Sequence, residues 1–148
     1  MNKQEYYLGL AKKVSEMSKC LRGHFGAIIV KNDMMIGAGY NGPARGVAHC
    51  NPCRREGDPC GVGYEKCIAV HAEVNAIVQA GGRSGCLGST MYLASHNRTY
   101  GATIYHPRLG DFPCPNCARL IVNGGVKWLI NEGGVYEIER LVEEGDIV

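Results

Sequence analysis

Apolar positions along this 148-residue chain form short groups whose spacing changes several times. Over residues 3–19, KQEYYLGLAKKVSEMSK, they recur at Tyr7, Leu10, Ala11, Val14 and Met17, and steps of three and four predict an amphipathic helix. Two β-rich runs follow at 26–30 and 34–40, separated by Lys31, Asn32 and Asp33, which predicts a hairpin. Residues 42–67 show neither period and are rich in Gly, Pro, Cys and charge. So long an irregular segment in a compact domain is usually functional, or is held by something other than a core. Helical spacing returns over 70–80, VHAEVNAIVQA, and stops at Gly81-Gly82. TMYLAS at 90–95 reads as a strand, and 96–113 as a second long loop. A helix over 115–123 ends at Gly124-Gly125, VKWLI at 126–130 reads as a buried strand, and 135–144 as a last helix. The tail GDIV could add a short edge strand. There are no repeats and no break in composition, so one domain over 1–148 is expected. The order α-β-β-α-β-α-β-α predicts an α/β fold, a mixed sheet with helices on both faces.

Composition narrows the function. Apolar residues make up 45% and charged residues 20%, values ordinary for a water-soluble fold. No apolar stretch approaches the roughly 20 residues of a membrane span, and the polar start MNKQEYY is unlike a secretion signal. A cytoplasmic protein without a membrane partner is therefore expected. The net charge of +2 is too balanced to announce a nucleic-acid partner, although a few arginines could still hold a small anion. Eight cysteines in such a chain point to metal binding or catalysis rather than to a disulfide framework.

Two short motifs carry the chemistry. Cys114 and Cys117 stand at C-x-x-C spacing in DFPCPNCARLI, a pattern shared by redox disulfides, zinc knuckles and catalytic metal sites. Forty-three residues upstream, His71-Ala72-Glu73 opens another expected helix. If the two helix starts face each other, His71, Cys114 and Cys117 supply one nitrogen and two sulfurs to a zinc and leave a fourth position open, as in catalytic sites. Helix N-termini also favour thiolates. Glu73 need not chelate the same ion and can instead move a proton beside it. A redox pair would leave His71 and Glu73 unexplained. H-x-E followed by P-C-x-x-C is the signature of zinc-dependent nucleobase deaminases.

Four stretches carry a wider likeness: SKCLRGHFGAIIV (18–30), GAGYNG (37–42), HAEVNAI (71–77) and PCPNCARLIVNGGVKWLI (113–130). Through them the chain resembles the deoxycytidylate (dCMP) deaminase family of the cytidine deaminase-like superfamily. His71 separates it from simple cytidine deaminases, which resemble C-x-E here. The thirty-residue, cysteine-filled link from Asn41 to His71 separates it from tRNA adenosine deaminases. The resemblance implies a three-layer α/β/α fold and hydrolytic conversion of dCMP to dUMP, a supply route to thymidylate. It implies His71, Cys114 and Cys117 as ligands of a catalytic zinc and Glu73 as the proton shuttle. It further implies a homo-oligomer, a hexamer, activated by dCTP with Mg(2+) and inhibited by dTTP. Asn41 matches a position that contacts nucleoside, although the GYNG stretch is also associated with effector nucleotides, and Asn-Gly is a common turn dipeptide. The Ala72 N–H at the helix start could hold the pyrimidine carbonyl.

By the same comparison Cys20, Cys50, Cys53 and Cys67 would close a second, structural zinc that pins the irregular segment to the first helix. Cys60 would be left over or would stand in for Cys20 or Cys50, His49 is a further candidate ligand, and the alternative is free thiols. Residues 96–113 are longer than the link in many dCMP deaminases. They bring Tyr100, Tyr105, His106 and Arg108 near the metal, either as a lid with Arg108 on a phosphate or as a plain insertion. That loop leaves room for another base or nucleotide, such as dCTP, a cytidine derivative or a purine. Tyr136 lies near a family tyrosine that reaches the nucleotide phosphate, and otherwise reads as an amphipathic helix residue. A reading from a different class is a non-catalytic zinc-binding module, which would have no use for Glu73.

Overall fold

The computed structural model describes residues 1–59, 61–98, 105–106 and 110–147. Helix α1 (Lys3–Ser15) starts at a capping box, in which the Asn2 side chain accepts from Glu5 N–H and Glu5 reaches back to the Asn2 backbone. Strands β1 (Gly23–Lys31) and β2 (Met34–Tyr40) form the expected antiparallel hairpin. Asn32 and Asp33 take positive φ at its tip, a conformation Asn and Asp tolerate. Two short strands, β3 (Gly42–Pro43) and β4 (Ala69–Val70), pair with each other and tie off the irregular segment at both ends. Helices α2 (Ala72–Gln79) and α3 (Arg83–Cys86) follow, then β5 (Thr90–Arg98). Strands β6 (Tyr105–His106) and β7 (Gly110–Asp111) pair antiparallel. Helix α4 (Pro115–Asn123), β8 (Trp128–Asn131), β9 (Gly134–Glu137) and α5 (Ile138–Glu143) complete the chain.

The main sheet runs β2-β1-β5-β8-β9. It is mixed, because β5 and β8 are parallel across the α4 connection while the other pairs are antiparallel. Side chains alternate strictly between two cores. Ala27, Ile29, Met91, Leu93 and Leu129 point to one face, where Ala76, Ile77, Ile121 and Leu141 of α2, α4 and α5 cover them. Ile28, Val30, Tyr92, Ala94 and Ile130 point to the other, under Tyr7 and Ala11 of α1. This is the three-layer α/β/α arrangement expected from the sequence.

Two glycines set how closely the layers approach. A Cβ on Gly26 would strike the backbone of α1 at Ala11 O, and one on Gly39 would lie 2.6 Å from Ala72 O at the start of α2. Gly39 therefore fixes the depth of the helix start that carries His71 and Glu73.

Four local expectations fail. The first helix ends at Ser15 rather than continuing to residue 19. Residues 134–137 are a strand, so the last helix begins only at Ile138 and Tyr136 sits in β9, opposite Leu129. Pairing with β8 outweighs the helical spacing read there. The tail adds no strand among the described residues; Ile147 instead buries against the core. The loop expected over 96–113 is in part strand, since β5 continues to Arg98 alongside Gly23 of β1. No helix among the described residues is long and apolar enough to cross a membrane.

Candidate active site

The two motifs are built alike. His71 is the last extended residue before α2, with φ −72° and ψ 155°, and the β3–β4 pair delivers it there. Cys114 occupies the same cap position before α4, with φ −61° and ψ 161°, and Pro115 begins that helix without needing a hydrogen-bonded N–H. Its sulfur accepts from the N–H of Cys117 at 3.5 Å. Because α2 and α4 lie side by side on one sheet face, the two helix starts converge.

His71 Nδ1 lies 3.5 Å from Cys114 Sγ and 3.3 Å from Cys117 Sγ. Among the described residues these three form the only group of His, Cys, Asp or Glu ligands whose atoms all lie within 4.8 Å of one another. Tetrahedral zinc, with bonds of about 2.0 Å to nitrogen and about 2.3 Å to sulfur, would separate such donors by roughly 3.5–3.8 Å. The donor set and its spacing fit that ion.

Protonation follows from the same closeness. Cys114 ionises at about 4, far below an ordinary thiol, chiefly because it accepts a hydrogen bond from Cys117, with His71 adding a second. Cys117 is pushed up, because its proton is held against the Cys114 sulfur in a buried setting that also contains Glu73. His71 is raised by its hydrogen bond to Cys114, against the effect of burial. A thiolate thus stands beside the imidazole and the second thiol, a donor set that suits a cation. Glu73 is buried, and desolvation raises its carboxyl above the usual range.

One cavity gathers most of the residues singled out from the sequence. His71, Ala72, Glu73 and Cys114 line it on the helix side, and Asn41 borders it. Cys20, Cys50, Cys53 and Cys67 line its other side. The Asn41 side chain is engaged with β1, its Oδ1 accepting from Phe25 N–H and its Nδ2 donating to Gly23 O, both at 2.9 Å. Cys117 is buried behind the cavity in α4. Tyr136, on the edge strand, is not among the described lining residues. Arg108, Tyr100 and Cys60 lie outside the described residues.

Sequence reasoning missed the arginines of this cavity. Arg22 and Arg55 are buried in its wall, and each stands two residues after a cysteine, in Cys20-Leu21-Arg22 and Cys53-Arg54-Arg55. In both places the backbone N–H of the arginine donates to the cysteine sulfur, at 3.5 and 3.4 Å. The guanidiniums then knit the segment together. Arg22 donates to Arg55 O at 2.7 Å and to Asp58 O at 3.2 Å, while Arg55 donates to Val62 O at 2.9 Å and lies 4.0 Å over the Tyr64 ring. No local feature of the sequence marked them, since the same Cys-x-Arg spacing recurs at Cys117-Ala118-Arg119, where the arginine is exposed.

A family model described as the cytidine and deoxycytidylate deaminase zinc-binding region matches residues 1–131. The chain is 33% identical over 133 residues to the deoxycytidylate deaminase of Mycobacterium phage D29, covering 85% of this chain and 91% of the phage protein. It is 32% identical over 80 residues to the deoxycytidylate deaminase of Schizosaccharomyces pombe, covering 51% of this chain but only 25% of that longer protein. Among solved structures, the dCMP deaminase of cyanophage S-TIM5 in complex with dCMP and dUMP is similar at a TM-score of 0.62 and 27% identity, over 88% of this chain and 82% of that one. Cytidine deaminase from Mycobacterium leprae, at 17% identity, shares the fold with a TM-score of 0.56 over 96% and 98% of the two chains.

Proposed function

The chain belongs to the cytidine and deoxycytidylate deaminase zinc-binding family, and on that premise we propose that it is a zinc-dependent hydrolase converting dCMP and water to dUMP and ammonia. The observation that carries this reading is the His71–Cys114–Cys117 cluster opening, beside buried Glu73, onto a single cavity. His71, Cys114 and Cys117 hold the zinc. When bound, the ion supplies Lewis acidity that makes a water molecule a nucleophile near neutral pH.

The chain's own residues do the rest. Glu73 takes a proton from the attacking water and passes it to N3 of the cytosine ring as the C4–O bond forms, then carries the remaining hydroxyl proton to the exocyclic amine, so that the C4–N bond breaks and ammonia leaves. Its burial suits this work, because desolvation raises the carboxyl and makes it a stronger proton acceptor than a surface glutamate. The helical hydrogen-bond ladder of α2 begins with Asn75 N–H to His71 O at 3.1 Å. The Ala72 N–H lies ahead of that ladder and can orient the pyrimidine carbonyl. Asn41, tied to β1 by both ends of its amide, bounds the nucleoside side of the cavity.

A second, structural zinc on Cys20, Cys50, Cys53 and Cys67 would require their sulfurs to draw together, since among the described residues they do not form a group within 4.8 Å of one another; that all four border one cavity and that Cys20 and Cys53 accept N–H···S bonds supports the reading. Homo-oligomer formation is supported by the outer strand β2, which exposes Met34, Met35 and Tyr40. Effector nucleotides bound with Mg(2+) belong to the same reading of the family.

Ammonia release from dCMP by zinc-loaded protein tests the proposal, with Glu73→Ala as the blank. Selective turnover of dCMP supports it. Turnover of deoxycytidine, dCTP or a purine in its place, or zinc-loaded protein without turnover, overturns the substrate assignment.

A further inference from the structure

The cavity is unevenly charged. Among the described residues its walls carry Lys19, Arg22, Arg54 and Arg55 against the single carboxylate of Glu73. These cations are of two kinds. Arg22 and Arg55 are only 4% and 5% exposed, and their guanidiniums donate to carbonyls of the irregular segment. Lys19 and Arg54 are exposed at the rim, and neither side chain has an ion pair or hydrogen bond in the described structure. Their backbones are nevertheless well anchored. Lys19 follows Ser18, whose Oγ donates to Asn41 O at 2.8 Å, and Arg54 lies between Cys53 and the buried Arg55. Two uncommitted cations on fastened backbones thus converge from separate segments on the cavity that holds the deaminase residues.

We propose that Lys19 and Arg54 form an anion-recognising rim that takes the phosphate ester of the substrate, so that the cavity selects a nucleotide over the free nucleoside. This rests on the deaminase reading and assigns its charge selection to residues outside the metal motifs. Arg54 brings a planar fork suited to two phosphate oxygens, and Lys19 a mobile point charge. Arg22 and Arg55 behind them contribute a fixed positive potential that salt screens less than it screens the rim.

The test compares binding of dUMP and of deoxyuridine to the zinc-loaded protein by calorimetry, in the wild type and in the Lys19→Gln, Arg54→Gln, double and Arg54→Lys variants. The wild type is expected to prefer dUMP, and the preference should shrink as salt is added. Arg54→Gln should cut that preference about tenfold to a hundredfold, the range of one charge-assisted contact. Arg54→Lys should keep more of it, and the double variant least. An undiminished preference in the double variant, or equal weakening of both ligands, overturns the proposal, as does a wild type that does not prefer dUMP. No turnover enters this measurement, so the two readings fail separately. Protein that prefers dUMP through this rim yet does not deaminate dCMP keeps the rim and loses the enzyme assignment. Protein that deaminates dCMP with a preference indifferent to both substitutions keeps the enzyme and loses the rim.

Discussion

The two sides of the cavity are held in different ways. On one side His71, Glu73, Cys114 and Cys117 stand at the first turns of α2 and α4, whose buried faces pack into one of the two cores of the sheet. On the other, the described residues of 44–68 contain one regular element, the three-residue 3-10 turn Tyr64–Lys66, and are fastened by side chains of Arg22 and Arg55 and by the short β3–β4 pair. The difference separates two tasks. Reacting groups need fixed geometry, which apolar packing over a large area supplies at little risk from any single bond. Recognition of a substituent tolerates a wall held by a few polar contacts, and such a wall can change without disturbing the core.

Substitutions can break or sharpen this contrast. The largest expected effect is on the helix side: Cys114→Ser or chelation of the zinc should reduce ammonia release from dCMP to background, with far-UV circular dichroism retained. Next, Glu73→Gln should lower kcat by about 10²–10⁴-fold, the usual worth of a general acid–base group, while zinc content measured by metal analysis stays at the wild-type value. Gly39→Ala should destabilise the fold by about 1–3 kcal/mol in denaturant titrations, since the new methyl meets the backbone of α2. Arg55→Ala should act more locally, at about 1 kcal/mol globally, with proteolysis concentrated within 44–68. Equal global losses for Gly39→Ala and Arg55→Ala would erase the distinction between the two walls.

The smallest effect lies far from the site. Asp33 is held below the usual carboxylate range by hydrogen bonds from Lys3 and Tyr7. A depressed folded-state pKa contributes stability above the ordinary aspartate value, and that stability is lost as pH falls through the lower folded value. The melting temperature of Asp33→Asn should therefore differ slightly from wild type near neutrality and converge with it in strong acid.

Much of the site was legible before any fold was known. His71-Ala72-Glu73 and Pro113-Cys114-Pro115-Asn116-Cys117 announced a metal and a proton carrier through residue type and spacing alone. The cysteines of 50–67 marked a segment that would need fastening. Arg22 and Arg55 were not found, because an arginine that donates to a distant carbonyl looks in sequence like any surface arginine. Tyr136 was placed on a helix, because the apolar spacing of 135–144 suited one, and only pairing of Val135 and Tyr136 with β8 resolves that segment as strand. The extent of β5 escaped for the same reason, since its last residues are strand through their register with β1.

Local chemistry by itself determined where α1 and α4 start and where α4 stops. Asn2 and Glu5 cap α1, Pro115 opens α4, and Gly124 and Gly125 close it, each acting within a few residues of chain. It also determined which residues could ligate a metal. Tertiary structure alone decided that residues forty-three apart would bring Nδ1 and Sγ to 3.5 Å, that four loop cysteines and four cations would border the same cavity, and that a glycine in β2 would set the depth of α2. Capping and periodicity act through hydrogen bonds between near neighbours in sequence. Convergence depends on strand order and on the close packing of helices against a sheet, which no local stretch of residues encodes.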